Sequence, residues 1–265
     1  MKYRVLFLGF FVLIFLSACG PSNKQQAIAT IDKIEIKEFK YKQPNDLSKY
    51  LEADINYFMV QGESDLANVI NNKVLYIYQG IAEGIPDNPN DLIEAFMQRE
   101  AFEIQEMLDE TESSAALPYE FIYIAREIRN TDRLFSFEQE FYEYIGGAHG
   151  INGIIYSNYD VKTANKIHLM TLFTAKELRK LNEMGENSFR ILTEMTEGQE
   201  LVDAGFSFEE GFILTGNFIM AEDGLIFYYA PYEIGPYSLG DFKIIIPYSR
   251  IREAMPNSKL FNYID

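Results

Sequence analysis

Cysteine, tryptophan and histidine are nearly absent from this chain. Its 265 residues include one cysteine, no tryptophan and only two histidines, His149 and His168. A single thiol cannot form an intramolecular disulfide, and zinc sites or histidine-based catalysis need several ligands or a base with its orienting partner. The sequence also has no phosphate-binding loop motif and no Gly-x-Ser-x-Gly nucleophile motif. We therefore expect no catalytic residue, no metal and no cofactor.

Basic residues are also scarce. The chain carries 23 Lys and Arg against 40 Asp and Glu, a net charge of −17. Such a balance repels nucleic acid and anionic lipid headgroups and attracts cationic partners, so we expect no nucleic-acid partner. Many exported proteins are acidic only for solubility, and the charge leaves that alternative open. With so many carboxylates, pairs at the spacing of glycoside hydrolases arise by chance and carry no signal.

The N-terminus has the order of regions found in secretory signals. Two basic residues precede an uncharged run of twelve residues, Val5–Leu16, and small residues then lead to Cys19. The run is shorter than the roughly 20 residues of a transmembrane helix, and Leu-Ser-Ala-Cys at its end is a lipobox. We expect residues 1–18 to be a lipoprotein signal peptide, Cys19 to carry the lipid, and residues 19–30 to be a flexible tether. The protein would then be exported and membrane-anchored, in the periplasm or at the cell surface; the alternative is a buried apolar helix with an incidental cysteine.

The rest of the chain alternates between the hydrophobic periods of strands and helices. Thr174 and Glu177 have the spacing of a capping box, Asp91 is the predicted N-cap of another helix, and Glu222-Asp223-Gly224 between apolar runs predicts a hairpin. The predicted strands cover about 34–41, 51–59, 119–129, 133–144, 151–160, 212–220, 225–230 and 242–246, and the predicted helices about 66–77, 91–102, 174–191 and 249–255. Runs of strands separated by grouped helices indicate an α+β fold, with antiparallel or mixed sheets, helices packed on them and no disulfides.

Two loops rich in glycine, proline and tyrosine are the candidate binding surface. The first follows an aromatic strand and contains Gly146, Gly147, His149 and Gly150. The second contains Pro231, Tyr232, Glu233, Pro236 and Tyr237. Glycine permits turns with positive φ, and tyrosine on a rigid loop offers a large amphipathic contact area at low entropic cost. The competing interpretation is structural, with the histidine capping a tight turn and the tyrosines covering a core edge.

The same loops carry a resemblance to a known pair of domains. The matching segments are Tyr144–Gly150, Asn158-Tyr159-Asp160, Leu169–Phe173, Pro231–Gly240 and Ile246-Pro247-Tyr248. They resemble the DUF4163/DUF3298 pair, which forms the extracellular part of RsiV-type anti-sigma factors and the N-terminal region of PdaC-type peptidoglycan deacetylases. The resemblance covers roughly residues 31–255 and is clearest in the second half. It implies a PdaC-like, DUF4163-type region at 31–165 and a DUF3298-type region at 166–265.

The resemblance also implies a function. In RsiV-type proteins the module is a receptor that binds lysozyme, and in PdaC-type proteins catalysis resides in a separate domain with a metal-binding histidine motif that we do not find here. We therefore expect non-enzymatic binding of a lysozyme, another cationic protein or peptidoglycan through the two loops. The alternatives are a polysaccharide-modifying enzyme or accessory domain, and a structural lipoprotein. One departure is Ala164-Asn165-Lys166 where the family has Thr-Gly-Lys, and we expect Asn165 to take the left-handed conformation there.

Overall fold

The computed structural model describes residues 34–81, 86–111 and 118–265. The predicted signal peptide, Cys19 and the tether lie outside these residues. Asp32–Asp265 forms one compact unit. Within the described ranges no helix combines the length and the apolar character needed to cross a membrane.

Five strands form the first sheet, and their order across the sheet is their order along the chain. They are β1 (Ile36–Lys40), β2 (Leu51–Val60), β3 (Tyr119–Asn130), β4 (Leu134–Tyr144) and β5 (Ile151–Asp160). Neighbouring strands run antiparallel except β2 and β3, which are parallel. Each strand lies within a few residues of its predicted position. The alternation of buried and more exposed positions is clearest in β3.

Helices carry the chain from β2 to β3, because parallel neighbours need a long crossover connection. Helix α1 (Asp65–Leu75) continues into a 3-10 segment (Tyr76–Ile81), and α2 spans Pro89–Thr111. The prediction that Asp91 caps this second helix is wrong, since Asp91 lies in its first turn. The helix starts instead at Pro89. Proline is favoured at the first position of a helix because an N–H there would have no partner within the helix.

Three strands form the second sheet, β6 (Phe218–Met220), β7 (Gly224–Tyr229) and β8 (Phe242–Pro247), antiparallel and in that order. The hairpin predicted at Glu222-Asp223-Gly224 is present, with Met220 paired to the residue after the glycine. With two sheets, one of them mixed, and helices packed against them, the predicted α+β class is confirmed.

The helices of the second half pack against this second sheet. They are α3 (Leu169–Leu172), α4 (Ala175–Leu192), α5 (Tyr248–Ala254) and α6 (Phe261–Ile264). The predicted capping box starts α4: the Thr174 hydroxyl accepts the N–H of Glu177, whose carboxylate accepts the N–H of Thr174. The pKa of the Glu177 carboxyl is lowered first by the bond from the Thr174 backbone N–H and then by a bond that the Thr174 hydroxyl donates to the carboxylate at 2.7 Å.

Strand β6 is shorter than the sequence predicts, which extends it back to Phe212. The segment that begins at Phe212 instead packs alongside helix α4. The Asn182 side chain of that helix donates to the carbonyl of Phe212 at 2.7 Å and accepts the N–H of Leu214 at 2.8 Å. Phe212 then packs against the ring of Phe189, with centroids 5.5 Å apart. An aromatic run can bury itself against a helix as well as in a sheet, and the periodicity does not distinguish the two.

Two asparagine side chains join the sheets edge to edge. Asn217 accepts the N–H of Tyr156 at 2.8 Å and donates to the carbonyl of Ile154 at 2.7 Å. Asn158, which is buried, donates to the carbonyl of Phe218 and accepts the N–H of Met220, at 2.8 and 2.9 Å. These amides satisfy backbone groups that an edge strand would otherwise leave unpaired. They therefore fix β5 of the first sheet against β6 of the second.

The turn after β5 corrects one expectation. Ala164, and not Asn165, has the left-handed conformation, with a φ of 56°. The Asp160 carboxylate accepts the N–H groups of Lys162 and Thr163 at 2.9 and 2.8 Å, and the Asp160 carbonyl accepts the Ala164 N–H at 2.9 Å. This network winds the turn tightly and outweighs a left-handed cost of about 1 to 2 kcal/mol for alanine.

Candidate functional site

The first candidate loop, residues 145–150 between β4 and β5, is here called the glycine loop. Gly146 and Gly147 have φ values of 90° and 92°, so these two glycines serve the positive-φ turn that the sequence predicts. Gly150 serves a different purpose, because a Cβ at this position would lie 2.5 Å from the ring of Tyr142. The loop therefore needs glycine twice for backbone conformation and once for close packing.

The second candidate loop, residues 230–240 between β7 and β8, is here called the tyrosine loop. Ile234 is buried and anchors its middle, and residues 237–239 form one 3-10 turn. The Glu233 carboxylate accepts the N–H of Ala230 at 2.9 Å and so closes the first turn of the loop. Tyr232 has a φ of 70°, a left-handed conformation that is unfavourable for a residue with a side chain.

The two loops meet, although they belong to different sheets. The ring of His149 stacks on that of Tyr237, with centroids 3.7 Å apart and planes inclined by 10°. The Tyr237 hydroxyl donates to the carbonyl of Gly150 at 3.1 Å. The Tyr232 hydroxyl lies 3.3 Å from Nε2 of the histidine. We call His149, Tyr232 and Tyr237 together the aromatic patch.

These contacts select one tautomer of His149. Its Nδ1 lies 3.1 Å from the carbonyl oxygen of Gly150, which can only accept a hydrogen bond. In the neutral ring, Nδ1 therefore carries the proton and Nε2 is left to accept from the Tyr232 hydroxyl. Through Nδ1 the histidine ring is held to its own loop, and through Nε2 and the stacking on Tyr237 it connects that loop to the tyrosine loop.

The aromatic patch is open to solvent. Tyr232 is 61% exposed, His149 is exposed and Tyr237 is half-buried between them. Three further large apolar side chains in or beside the two loops are also exposed, those of Ile145, Ile151 and Leu239. These three residues are not among the predicted site residues. Ile145 is the first residue of the glycine loop and Ile151 is the first residue of β5, so a sequence signal was available for both as apolar residues next to the glycines.

The predicted site residues divide into three groups. Gly146 and Gly147 form the positive-φ turn of the glycine loop. Gly150, His149, Tyr232 and Tyr237 come together in space, as described above. Pro231, Pro236 and Glu233 shape the tyrosine loop, and the Glu233 carboxylate is engaged with its own backbone turn while remaining exposed.

Two buried tyrosines, Tyr156 and Tyr228, lie near the acidic residue Asp241 beside the tyrosine loop. Tyr156 and Tyr228 pack in a T-shaped pair, with centroids 6.3 Å apart. Burial raises the pKa of both hydroxyls, and nearby carboxylates that include Asp241 raise it further. The tyrosines therefore stay protonated, and the negative charge at this edge of the domain comes from the carboxylates.

The described residues contain no cluster of side chains suited to hold a metal ion. Across 34–81, 86–111 and 118–265, no three side chains of the His, Cys, Asp and Glu types converge on a common point. The glycine loop contributes one histidine, and its two ring nitrogens already have partners within the protein.

An α+β module with two sheets joined at their edges and one composite loop surface is the class of structure that these features define. Residues 171–249 match the family DUF3298, described as a protein of unknown function, and residues 45–152 match the family described as deacetylase PdaC. The chain thus combines a PdaC-type segment with a DUF3298 segment, and the predicted resemblance to this group is confirmed. No curated protein matches the chain.

Solved structures of DUF3298 family members have a similar fold. A DUF3298 family member from Bacteroides fragilis superposes with a TM-score of 0.62 at 20% sequence identity, covering 85% of this chain and 93% of its own. A DUF3298 family protein from Pseudomonas aeruginosa PAO1 superposes with a TM-score of 0.55 at 17% identity, covering 83% and 94%. At this level of identity the likeness extends to the fold alone.

Proposed function

We propose that this protein is a lipid-anchored envelope protein that binds a cationic protein of the lysozyme type, without catalysis, through the aromatic patch. The observation that carries the proposal is the meeting of the two loops, with His149 stacked on Tyr237 at 3.7 Å and bonded toward Tyr232. Exposed tyrosines held by neighbours rather than free to rotate lose little entropy on binding. The lysozyme-type partner itself is taken from the sequence resemblance to RsiV-type receptors, and the DUF3298 match is compatible with that resemblance.

The backbone of Tyr232 gives a second argument. A left-handed tyrosine costs about 1 to 2 kcal/mol, and this one is 61% exposed, so little packing energy compensates for the strain. Strained residues that the surrounding structure maintains cluster at ligand-binding positions. In this left-handed conformation the ring contacts His149 and stays largely exposed, outside the core. An exposed ring held in this way can insert into the cleft of a partner.

Charge supports a basic partner. The net charge of −17 attracts a cationic protein over a distance, and Glu233 and Asp241 place exposed carboxylates in and beside the tyrosine loop. Complementary charge of this kind raises the association rate more than it slows dissociation. We therefore expect the association rate constant to fall as salt is added, while the dissociation rate constant changes less.

The binding test uses residues 31–265 and a basic lysozyme. Truncating a buried anchor tyrosine at an interface costs about 2 kcal/mol, equivalent to roughly a 30-fold loss of affinity. We expect losses of this size for Tyr232→Ala and Tyr237→Ala. The matched control is Tyr76→Ala, a tyrosine that is 69% exposed on the 3-10 segment after α1. Equal affinities for all three variants would remove the aromatic patch from the contact surface, and no binding by the unmodified fragment would refute the partner class.

The lipid attachment is tested separately at Cys19. In the producing bacterium, the natural chain should incorporate a fatty-acid probe and Cys19→Ser should not, because the thiol is the acylated atom. Labelling that persists in the serine variant, with an unchanged mature size, contradicts the anchor.

The PdaC match favours a second candidate, action on cell-wall polysaccharide. The matched segment, residues 45–152, ends at the glycine loop, and exposed aromatic rings also stack on sugars. If the protein modifies peptidoglycan, purified wall incubated with it should release acetate or soluble fragments. Retention on the wall without any product would instead identify a glycan-binding module.

A further inference from the structure

A cluster of cations lies at the end of the domain opposite the aromatic patch. Two adjoining depressions share Thr171 and Lys259 in their walls. The first also contains Lys176 and Lys180, from the first turns of α4, and the second contains Arg133 and Lys162. We call Arg133, Lys162, Lys176, Lys180 and Lys259 together the basic groove. Five of the chain's 23 basic residues thus converge from four separate segments.

The cations of the basic groove outnumber the carboxylates in its walls. Two carboxylates share the walls, those of Asp160 and Glu177, and both are occupied by hydrogen bonds from nearby hydroxyl and backbone groups. In the part of the chain that the structure describes, none of the five cations forms an ion pair. Lys180 and Arg133 donate to backbone carbonyls, which do not neutralise their charge. Glu177 attracts Lys180 and Lys259, so the two carboxylates offset part of the charge of the five cations. The groove is therefore locally positive in an acidic protein.

The described chain begins at this same end. The N–H of Ile34 donates to the Asn130 side chain at 3.0 Å, and that side chain donates back to the Ile34 carbonyl at 2.8 Å. Asn130 is the last residue of β3, and Arg133 stands in the turn that follows. Ile34, the first residue that the structure describes, thus lies beside the turn that contributes Arg133 to the basic groove.

The strand β4 separates this end from the aromatic patch. It has 11 residues and runs from the turn of Arg133 to the glycine loop. At about 3.3 Å per residue the two ends lie roughly 33 Å apart. This distance is several times the Debye length of about 8 Å at physiological ionic strength, so the carboxylates near the patch do not cancel the charge of the groove.

We propose that the basic groove docks on the anionic headgroups of the membrane surface and holds the aromatic patch outward. The direction of the tether rests on the proposed lipid attachment at Cys19, whereas the attraction between groove and phosphate stands without it. Met170, 80% exposed in the wall of the groove, supplies an apolar side chain at the same surface. The net charge of −17 predicts repulsion from such a surface. The net charge does not show that five of the cations are grouped on one surface, where they can bind anionic headgroups locally.

The test uses a fragment from residue 32 onward, which contains the compact unit and all of the described core but lacks Cys19. Its co-sedimentation is measured with vesicles of phosphatidylcholine alone and with vesicles that also contain phosphatidylglycerol. We expect binding to the second kind only, falling with salt. Each basic residue near an anionic surface changes the affinity about fivefold, so Lys176→Gln with Lys259→Gln should weaken binding roughly 25-fold.

The matched control is Lys42→Gln with Lys49→Gln, which makes the same change in net charge. These exposed lysines precede β2, whose first residue pairs with Tyr119 beside the glycine loop, so they lie at the other end of the sheet. The control should bind within about twofold of the unmodified fragment. An equal loss in both double variants, or no preference for phosphatidylglycerol, overturns the proposal.

A third arm separates a membrane from a soluble phosphate ligand. Glycerol phosphate added to the vesicle mixture should compete only at the concentrations at which sodium chloride of the same ionic strength does. Competition at much lower concentration would identify a site for soluble phosphate and overturn the membrane assignment. Because the fragment lacks Cys19, failure here leaves the Cys19 labelling result unaffected, and the reverse also holds.

Discussion

The strained backbone of Tyr232 can be measured directly by comparing two substitutions at that position. Tyr232→Ala and Tyr232→Gly both remove the ring and its contact with His149, but only glycine relieves the left-handed φ of 70°. Removing the left-handed strain raises the free energy of unfolding by about 1 to 2 kcal/mol. Glycine also lowers it by about 0.4 to 1 kcal/mol, because the unfolded chain with glycine has greater conformational entropy. We therefore expect Tyr232→Gly to be more stable than Tyr232→Ala by about 0.5 to 1 kcal/mol.

The assay is urea denaturation of residues 31–265, supported by thermal melting, where 1 kcal/mol shifts Tm by about 2 to 4 °C in a domain of this size. The control is the same pair at Tyr237, whose φ is not positive, so Tyr237→Gly should be less stable there than Tyr237→Ala. Both Tyr232 variants should bind the basic lysozyme equally weakly. If glycine at 232 is no more stable than alanine, Tyr232 stores no strain and that argument for a binding role fails.

Further predictions test the packing of the fold. Gly150→Ala should destabilise by about 1 to 3 kcal/mol, because its Cβ would lie 2.5 Å from a tyrosine ring of β4, whereas Gly216→Ala, which meets open space, should be neutral or stabilising in the same denaturation assay. Asn158→Ala should cost about 3 kcal/mol by leaving buried backbone groups at the sheet junction unpaired, and a loss below about 1 kcal/mol would mean that the junction amide is dispensable. Burial alone would raise the pKa of Asp160, but bonds led by the Tyr263 hydroxyl lower it. A lowered carboxyl pKa adds stability above the unfolded value near 4, and this is lost as pH falls through the folded pKa. Tyr263→Phe should therefore cost about 1 kcal/mol at neutral pH and progressively less below pH 4, as acid titrations of both proteins can check.

The fold was largely predictable because most of its elements bury one face. The strands from β1 to β5 and the capping box of α4 follow from periodicity and from local hydrogen-bonding chemistry. The parallel pairing of β2 with β3 does not, since alternation reports that a side chain is buried and not which strand lies beside it. The late start of β6, at Phe218 and not at Phe212, has the same cause, because the Asn182 side chain bonds the segment around Phe212 to helix α4.

The two loops were predictable as segments and not as a site. Glycine, proline and tyrosine mark residues 146–150 and 231–240 in the sequence, and the positive φ values of Gly146 and Gly147 follow from that composition. Their meeting depends on how the two sheets are joined, and asparagine side chains leave no periodic signal. The basic groove was missed for a related reason: its residues come from four segments that only the finished topology brings together.

The aromatic patch forms only when the two sheets are joined correctly, because each sheet carries one of its two loops. The glycine loop precedes β5, which Asn217 and Asn158 hold against β6, and the tyrosine loop leaves the second sheet through β7. A slip of one residue between β5 and β6 would move their relative position by about 3.3 Å. That displacement would break the 3.7 Å stacking of His149 on Tyr237 and the 3.1 Å bond to Gly150. The patch therefore exists only in the correctly joined domain, and a partner that binds it adds its binding free energy to the stability of the junction.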